Sequence, residues 1–153
     1  INYRREFNRL YLYTADSLLH DDVADLDYRV IIGGGFGAYL VETEQTRLNF
    51  ELGGAYVIES YSEGGDDETV SARIAARHEH AFSDSAKMWE SVEYLPSVED
   101  LSDYLLNAEA GVEAALNSSL SLRLVLQNRY DSTPAPGNEE NDLSMVGSLV
   151  YKI

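Results

Sequence analysis

The chain has no cysteine, which excludes disulfide scaffolding, thiolate zinc sites and cysteine nucleophiles. Basic residues are also few, because 11 Lys and Arg stand against 27 Asp and Glu, for a formal net charge of −16. Such a charge repels nucleic-acid phosphates and anionic cytoplasmic lipid, so we expect no nucleic-acid partner. The sequence has no run of 18 apolar residues and no charged-then-apolar leader, so it predicts neither a helical membrane span nor a retained signal peptide.

Polarity alternates with a period of two along most of the chain, which is typical of strands with one apolar face. In the clearest window, 46–61, Leu48 and Phe50 fall on one face while Arg47 and Glu51 fall on the other. A helix would scatter the apolar residues around its circumference. Eight windows show the pattern, the first and fifth less cleanly: 2–14, 26–41, 46–61, 70–82, 86–95, 103–116, 119–131 and 143–153. The Ala-rich window 103–116 also permits a helix.

The predicted connections alternate between short and long, which indicates an up-and-down meander with two unlike ends. The short ones are 42–45, 83–85 and 117–118, and the long ones are 15–25, 62–69, 96–102 and 132–141. The long connections hold 12 of the 27 acidic residues and the short ones hold three, and in outer-membrane barrels such long loops face the medium. We therefore expect these carboxylates in extracellular loops: Asp21, Asp22, Asp66, Asp67, Glu68, Glu139 and Glu140.

No shift in composition and no linker divides the chain, so we expect one domain over residues 1–153. The sequence predicts an all-β fold, an antiparallel up-and-down transmembrane β-barrel of about eight strands, or the C-terminal part of a larger barrel. Mixed charges on the polar face suit pairing across a narrow lumen, and tyrosines near strand ends suit an interfacial girdle. The predicted lumen network is Arg29, Arg47, Glu51, Arg73, Arg77, Glu79, Glu109, Glu113, Arg123 and Arg129. A soluble lipocalin-like barrel, with its apolar face inside, is the alternative that periodicity leaves open.

Three patterns invite a chemical interpretation, and each has a simpler one. The glycines of 33–37 are followed by more strand instead of the helix that a phosphate loop needs, so we expect them to make room for long side chains on the polar face. His78 and His80 share the apolar face near a short turn and lack a third ligand, which favours interfacial side chains over a metal site. The acidic run at 66–68 lacks the spaced oxygen ligands of a calcium loop and is read as solvated charge, with weak Ca²⁺ binding or cation bridging to lipopolysaccharide as the alternative. No histidine falls on a predicted lumen-facing or outer-rim position with a matching serine, so we do not expect a membrane-embedded serine hydrolase.

Several segments together resemble a known family. They are Asp27-Tyr28-Arg29 followed by Gly33 to Tyr39, then Leu48 to Gly53 running to Glu59-Ser60-Tyr61, then Phe82 to Lys87, and finally Tyr130-Asp131-Ser132 through Pro134, Pro136 and Asp142 to Leu149-Val150-Tyr151. In order and spacing they cover about four fifths of the chain. On these residues the chain resembles the YdiY-like outer-membrane proteins, a salt-induced family that carries a domain of unknown function.

The resemblance implies an outer-membrane β-barrel in a Gram-negative-type bacterium, with an unassigned molecular activity. Members are usually longer at the N-terminus, and the chain starts inside an apparent strand, so we expect further strands before Ile1. We expect a structural or envelope-stress role without catalysis, cofactor or metal. The expected partners are outer-membrane lipid, lipopolysaccharide and the barrel-assembly machinery. The alternative is a narrow ion or small-solute channel, whose selectivity would be set by Arg47, Arg73, Arg77, Arg123 and Arg129.

Overall fold

A computed structural model describes residues 2–21, 26–61, 65–134 and 138–151 as one antiparallel sheet. Its strands follow one another in chain order, each paired with the next. The strands are β1 (Asn2–Phe7), β2 (Leu10–Asp21), β3 (Leu26–Glu42), β4 (Thr46–Tyr61), β5 (Gly65–Ser83), β6 (Ala86–Pro96), β7 (Tyr104–Ala115), β8 (Leu120–Asp131) and β9 (Asn141–Tyr151). The predicted all-β, antiparallel up-and-down fold is confirmed, and window 103–116 contains a strand rather than a helix.

The described part of the chain contains nine strands where the sequence predicted about eight. The predicted first strand, 2–14, is two strands joined at Asn8 and Arg9, where Phe7 pairs with Leu10. Asn8 has a φ of 58°, a left-handed conformation that asparagine adopts more easily than most residues and that tight hairpins require. Even-numbered residues of β1 pair with odd-numbered residues of β2, so the alternation changes phase at this turn. That change is why the window looked irregular.

Two of the predicted long loops are largely strand. β2 continues to Asp21 and β5 begins at Gly65, so the backbones of Asp66, Asp67 and Glu68 form a ladder with the end of β4. Their predicted placement in a loop is therefore wrong, and so is that of Asp21. Asp and Gly are poor strand formers, but pairing with a long neighbouring strand overrides that preference. The connections 97–103 and 132–140 are long as predicted, and Glu139 and Glu140 lie in the second. Asp22 lies outside the described residues.

The sheet is strongly curled. Arg29 in β3 and Asp131 in β8 form an ion pair, with 2.6 Å between Nη2 and Oδ2. In a flat sheet these strands would lie about 24 Å apart, five steps of ~4.8 Å. One Arg and one Asp side chain cannot bridge that gap, so the face that carries them is concave.

The two faces differ sharply in chemistry. On the concave face, buried side chains include Tyr11, Asn49, Glu51, Arg73 and Glu113. The convex face carries apolar residues in cross-strand rows, and one row joins Ala38, Phe50, Ala76, Val92 and Ala108 across β3 to β7. Its larger side chains are well exposed: Leu12, Ile32, Phe36, Phe50, Leu52, Val92, Val112, Leu122, Leu124, Leu126 and Met145. The sheet therefore has a polar inside and an apolar outside.

No helix among the described residues has the length and hydropathy to cross a bilayer.

Glycines on the concave face hold aromatic rings from the next strand. Tyr11 lies over Gly37 and Trp89 over Gly111, in each case directly opposite in the ladder, and a Cβ at either glycine would collide with the ring. This confirms the predicted use of Gly37 as space for a long neighbour. Tyr11 also packs with Tyr13 and Tyr39, forming a small aromatic cluster at the β1–β4 side of the concave face.

We predict that Gly111→Ala lowers the free energy of unfolding by about 1–3 kcal/mol, because the added methyl group displaces the Trp89 ring from its position over Gly111. Trp89 is the only tryptophan, so its fluorescence reports both the unfolding midpoint and the ring's environment. Gly147→Ala is the matched control, since an added Cβ there meets nothing within 4 Å. Equal free energies of unfolding for the two variants would contradict the packing of the Trp89 ring against Gly111.

We also predict that Arg29 and Asp131 are energetically coupled by at least ~0.5 kcal/mol in a double-mutant cycle, because they touch across the curled sheet. The cycle compares Arg29→Ala, Asp131→Ala and the double variant by chemical denaturation. Additive losses within about 0.3 kcal/mol, the behaviour of distant sites, would argue that the sheet is flat in solution.

Candidate functional site

Glu51, in the middle of β4, is the centre of a polar cluster on the concave face. Its Oε1 accepts hydrogen bonds from the Tyr11 hydroxyl at 2.8 Å and from Arg4 Nη2 at 3.2 Å. Its Oε2 accepts a bond from Arg73 Nη1 at 2.8 Å. The Asn49 amide also donates to the Tyr11 hydroxyl, at 2.6 Å. Residues from β1, β2, β4 and β5 thus meet at one buried carboxylate, which is only 8% exposed.

Arg73 extends this cluster toward β6 and β7. Its Nε donates to Glu93 at 2.6 Å, and Glu93 accepts a second bond from the Asn107 amide at 3.1 Å. The guanidinium also lies 4.9 Å from the centre of the Tyr13 ring, a favourable cation–π arrangement. The planar guanidinium of Arg can bond two carboxylates at once in a fixed geometry, which the ammonium group of Lys does less well.

A second cluster lies on β6 to β8. Glu109 accepts bonds from Trp89 Nε1 at 2.6 Å and from the Gln127 amide at 2.8 Å. Glu113 accepts two bonds from Arg123, at 3.0 and 2.6 Å, with Lys87 Nζ 3.9 Å away. The Arg123 guanidinium also lies 5.5 Å from the Trp89 ring centre. Each carboxylate in this cluster therefore has a donor from a neighbouring strand.

A third cluster lies toward the end that carries connections 97–103 and 132–140. Arg29 donates to both Glu59 and Asp131, and all three side chains are largely buried. Ser71 and Ser97, where connection 97–103 begins, form an isolated bridge, and both are buried. Among the described residues, this end of the concave face therefore carries largely buried ion pairs.

Between the clusters lies a polar cavity of about 480 Å³. Its wall includes Arg29, Arg73, Arg77, Glu93, Glu109 and Arg129. The lining combines guanidinium and carboxylate groups, most of them already bonded to one another. The cavity can hold water or a small polar molecule.

The structure brings some of the predicted network together and leaves other members at its margin. The clusters above contain these members of the network: Glu51 with Arg73, Glu113 with Arg123, Glu109 with its two donors, and Arg29 with Glu59 and Asp131. Arg77 bonds Glu79 on its own strand, and both are about two-fifths exposed. Arg129 lies 3.8 Å from Asp142. Arg47 makes no ion pair with a described residue, and its guanidinium stacks over Tyr39, 5.7 Å from the ring centre.

Sequence reasoning missed Arg4, Tyr11, Glu59, Glu93 and Asp131. Glu59, Glu93 and Asp131 share the odd-numbered phase of the predicted network, so applying the alternation to every charged residue of the predicted windows would have found them. Arg4 was hidden because the phase changes between β1 and β2. No sequence signal pairs Arg29 with a residue 102 positions away.

Outside the concave face, several predicted residues have simple contacts. Glu140 accepts a bond from the Tyr130 hydroxyl at 2.7 Å, and Glu68 accepts one from Tyr56. Glu139 is exposed. The backbones of Asp21, Asp66 and Asp67 lie in β2 and β5, and their side chains are outside the described part. On the convex face, the Tyr104 ring stacks on Tyr130 with 5.7 Å between ring centres, and Tyr94 lies tilted against Tyr104 at 5.3 Å.

His78 and His80 lie on the convex face, with ring centres 6.4 Å apart. The His80 Nδ1 is 2.8 Å from the Thr46 hydroxyl. Within the described ranges, no group of three or more His, Cys, Asp or Glu side chains is arranged to hold a metal ion.

A family model described as "Protein of unknown function, DUF481" matches residues 1–153. The chain belongs to the DUF481 family. Membership confirms the predicted relationship to a domain of unknown function, while the YdiY-like assignment within it stays a prediction. No curated protein and no solved structure matches the chain significantly.

We predict that Arg73→Ala lowers the free energy of unfolding of this DUF481 protein by about 3 kcal/mol, because it leaves Glu51 and Glu93 without their shared cation. Arg77→Ala is the control on the same strand and face, and its half-exposed pair should contribute less than ~1 kcal/mol. Denaturant unfolding followed by Trp89 fluorescence measures both. Equal losses would show that the buried cluster is no more important than a solvated pair.

Proposed function

We propose that this DUF481 member is an outer-membrane β-barrel protein with a structural or envelope-stress role and no catalysis. Its apolar convex face would contact lipid and lipopolysaccharide, and its ion-paired concave face would line a narrow interior. The observation that carries the proposal is the separation of the two faces: exposed aliphatic rows outside, and arginine–carboxylate clusters inside. The barrel-assembly machinery would be its partner during insertion.

The convex face supports a lipid environment. Leu122, Leu124 and Leu126 on β8 are 45–50% exposed, and similar residues continue on neighbouring strands. Soluble monomers rarely expose contiguous apolar surface of this extent. A soluble lipocalin-like barrel would place these aliphatic groups inside, next to its ligand. Here the inside is occupied by Arg, Glu and Tyr, which is why we prefer the membrane protein.

Strand lengths fit the same proposal. A tilted strand needs about 9–11 residues to cross the hydrocarbon, and β6 to β9 have 11 or 12. β3, β4 and β5 have 17, 16 and 19 residues, so their ends would project beyond the bilayer. The projecting ends include the acidic stretch Asp66, Asp67 and Glu68. The acid-rich end would then face the medium, in the orientation usual for the longer connections.

The channel alternative receives less support. Of the five arginines expected to set its selectivity, Arg73 and Arg123 are bound to buried or half-buried carboxylates. At the acid-rich end, Arg29 bridges Glu59 and Asp131 across the curled sheet. Ions would have to pass between groups that are already paired with each other. We therefore propose a closed interior.

The test is folding into lipid vesicles and its sensitivity to charge on the convex face. Denatured protein diluted into vesicles should acquire a compact, heat-modifiable form that is lost without lipid. Leu124→Lys, in the middle of β8, should cost about 2–4 kcal/mol in vesicles, because a lysine near the midplane of the bilayer is expensive. Asn128→Lys, on the same strand and face but nearer its end, should cost about 0–1 kcal/mol.

If the convex face met water instead of lipid, both lysines would be solvated, and neither would cost much. A stable monomer in detergent-free buffer, or equal stabilities for the two lysine variants, would therefore refute the proposal. Steady, reproducible single-channel openings in planar bilayers would refute the closed interior while leaving the membrane location intact.

A further inference from the structure

The convex face carries one ionisable pair in an apolar row. His78 in β5 and Glu90 in β6 are opposite each other in the ladder, with 3.7 Å between Nδ1 and Oε2. Their outer neighbours in the same row are Leu48 in β4 and Ala110 in β7. The Glu90 side chain is 57% exposed, so it meets whatever surrounds the protein.

Glu90 lacks a hydrogen-bond donor within the described part of the chain. The 3.7 Å separation from His78 is too long for a hydrogen bond. The nearby His80 already has the Thr46 hydroxyl as its partner. On the proposed lipid-facing surface, on which this inference rests, a carboxylate without a hydrogen-bond donor is costly, and ionisable groups there normally have a partner. A donor from a second molecule would remove that cost.

We propose that this part of the convex face binds a second copy of the chain, and that each His78 donates a hydrogen bond to Glu90 of the partner subunit. A two-fold contact requires a self-complementary surface, in which one residue type meets its complement on the other copy. An imidazole donor and a carboxylate acceptor on adjacent strands meet that requirement. Met88, Val92 and Val112 lie around the pair on the same face and supply apolar contact.

Cysteine cross-linking tests the interface, since the natural chain has no cysteine. Ala110→Cys places a thiol in the same row as Glu90 without altering the pair. In vesicles at a low protein-to-lipid ratio, a short bis-maleimide should convert most of this variant to a covalent dimer. Met145→Cys, exposed on the convex face of β9, is the matched control and should stay monomeric.

Removing the pair should weaken the dimer. Glu90→Ala or His78→Ala, each combined with Ala110→Cys, should raise the dimer dissociation constant at least tenfold, measured from the cross-linked fraction against dilution in lipid. Asn128→Ala, which removes a polar convex residue on another strand, should leave it unchanged.

Three results would overturn the interface while sparing the membrane location. The first is a vesicle-inserted, heat-modifiable protein that stays monomeric in cross-linking and by mass. The second is a dimer that Glu90→Ala does not weaken. The third is a monomer that retains phosphatidylethanolamine through Glu90. A protein that does not enter vesicles at all would refute the proposed function and this interface together.

Discussion

The constraint on which the structure depends is that the alternation of the strands stays in phase across the sheet. From β2 to β8, the ladders pair odd-numbered residues with odd-numbered ones over most of their length. Polar side chains from seven strands therefore project from one face and aliphatic side chains from the other. Curling the sheet toward the polar side then brings charges that are distant in sequence within bonding distance. Arg29 and Asp131 are the clearest result.

The interior is filled by two kinds of contact that act together. Arg73 ties β4 to β6 through Glu51 and Glu93, which fixes the lateral order of charges. Tyr11 and Trp89 lie over Gly37 and Gly111, which fills the space that the missing side chains leave. Paired charges alone would leave gaps, and aromatic rings alone would leave polar groups unsatisfied. The combination gives a concave face that is both packed and largely hydrogen-bonded.

Much of this arrangement could be predicted from the sequence, because a period of two is a local property. Window 46–61 coincides with β4, and the faces assigned to Leu48 and Glu51 are those observed. The turn at Asn8 was missed because the chain changes phase within one apparent window. The acids at 66–68 were misplaced because local propensity disfavours strand where a long partner imposes it. Contacts across the curled sheet were out of reach, since the alternation fixes the face of a side chain and not its distant partner.

The distribution of charge gives the interior a second role, in specifying the register. Most of the 11 basic residues carry their side chains on the concave face: Arg4, Arg29, Arg47, Arg73, Arg77, Lys87, Arg123 and Arg129. Nearby carboxylates roughly balance them, so the net charge of −16 is concentrated elsewhere, largely toward the acid-rich end. A slip of one residue in any strand would turn its arginines outward and its leucines inward. In lipid that error would expose unpaired cations to hydrocarbon and break the inner clusters at once. Buried ion pairs stabilise a fold only modestly, whereas breaking one by removing a single partner is strongly destabilising. We therefore expect the clusters to contribute more to the choice of register than to the stability of the correct one.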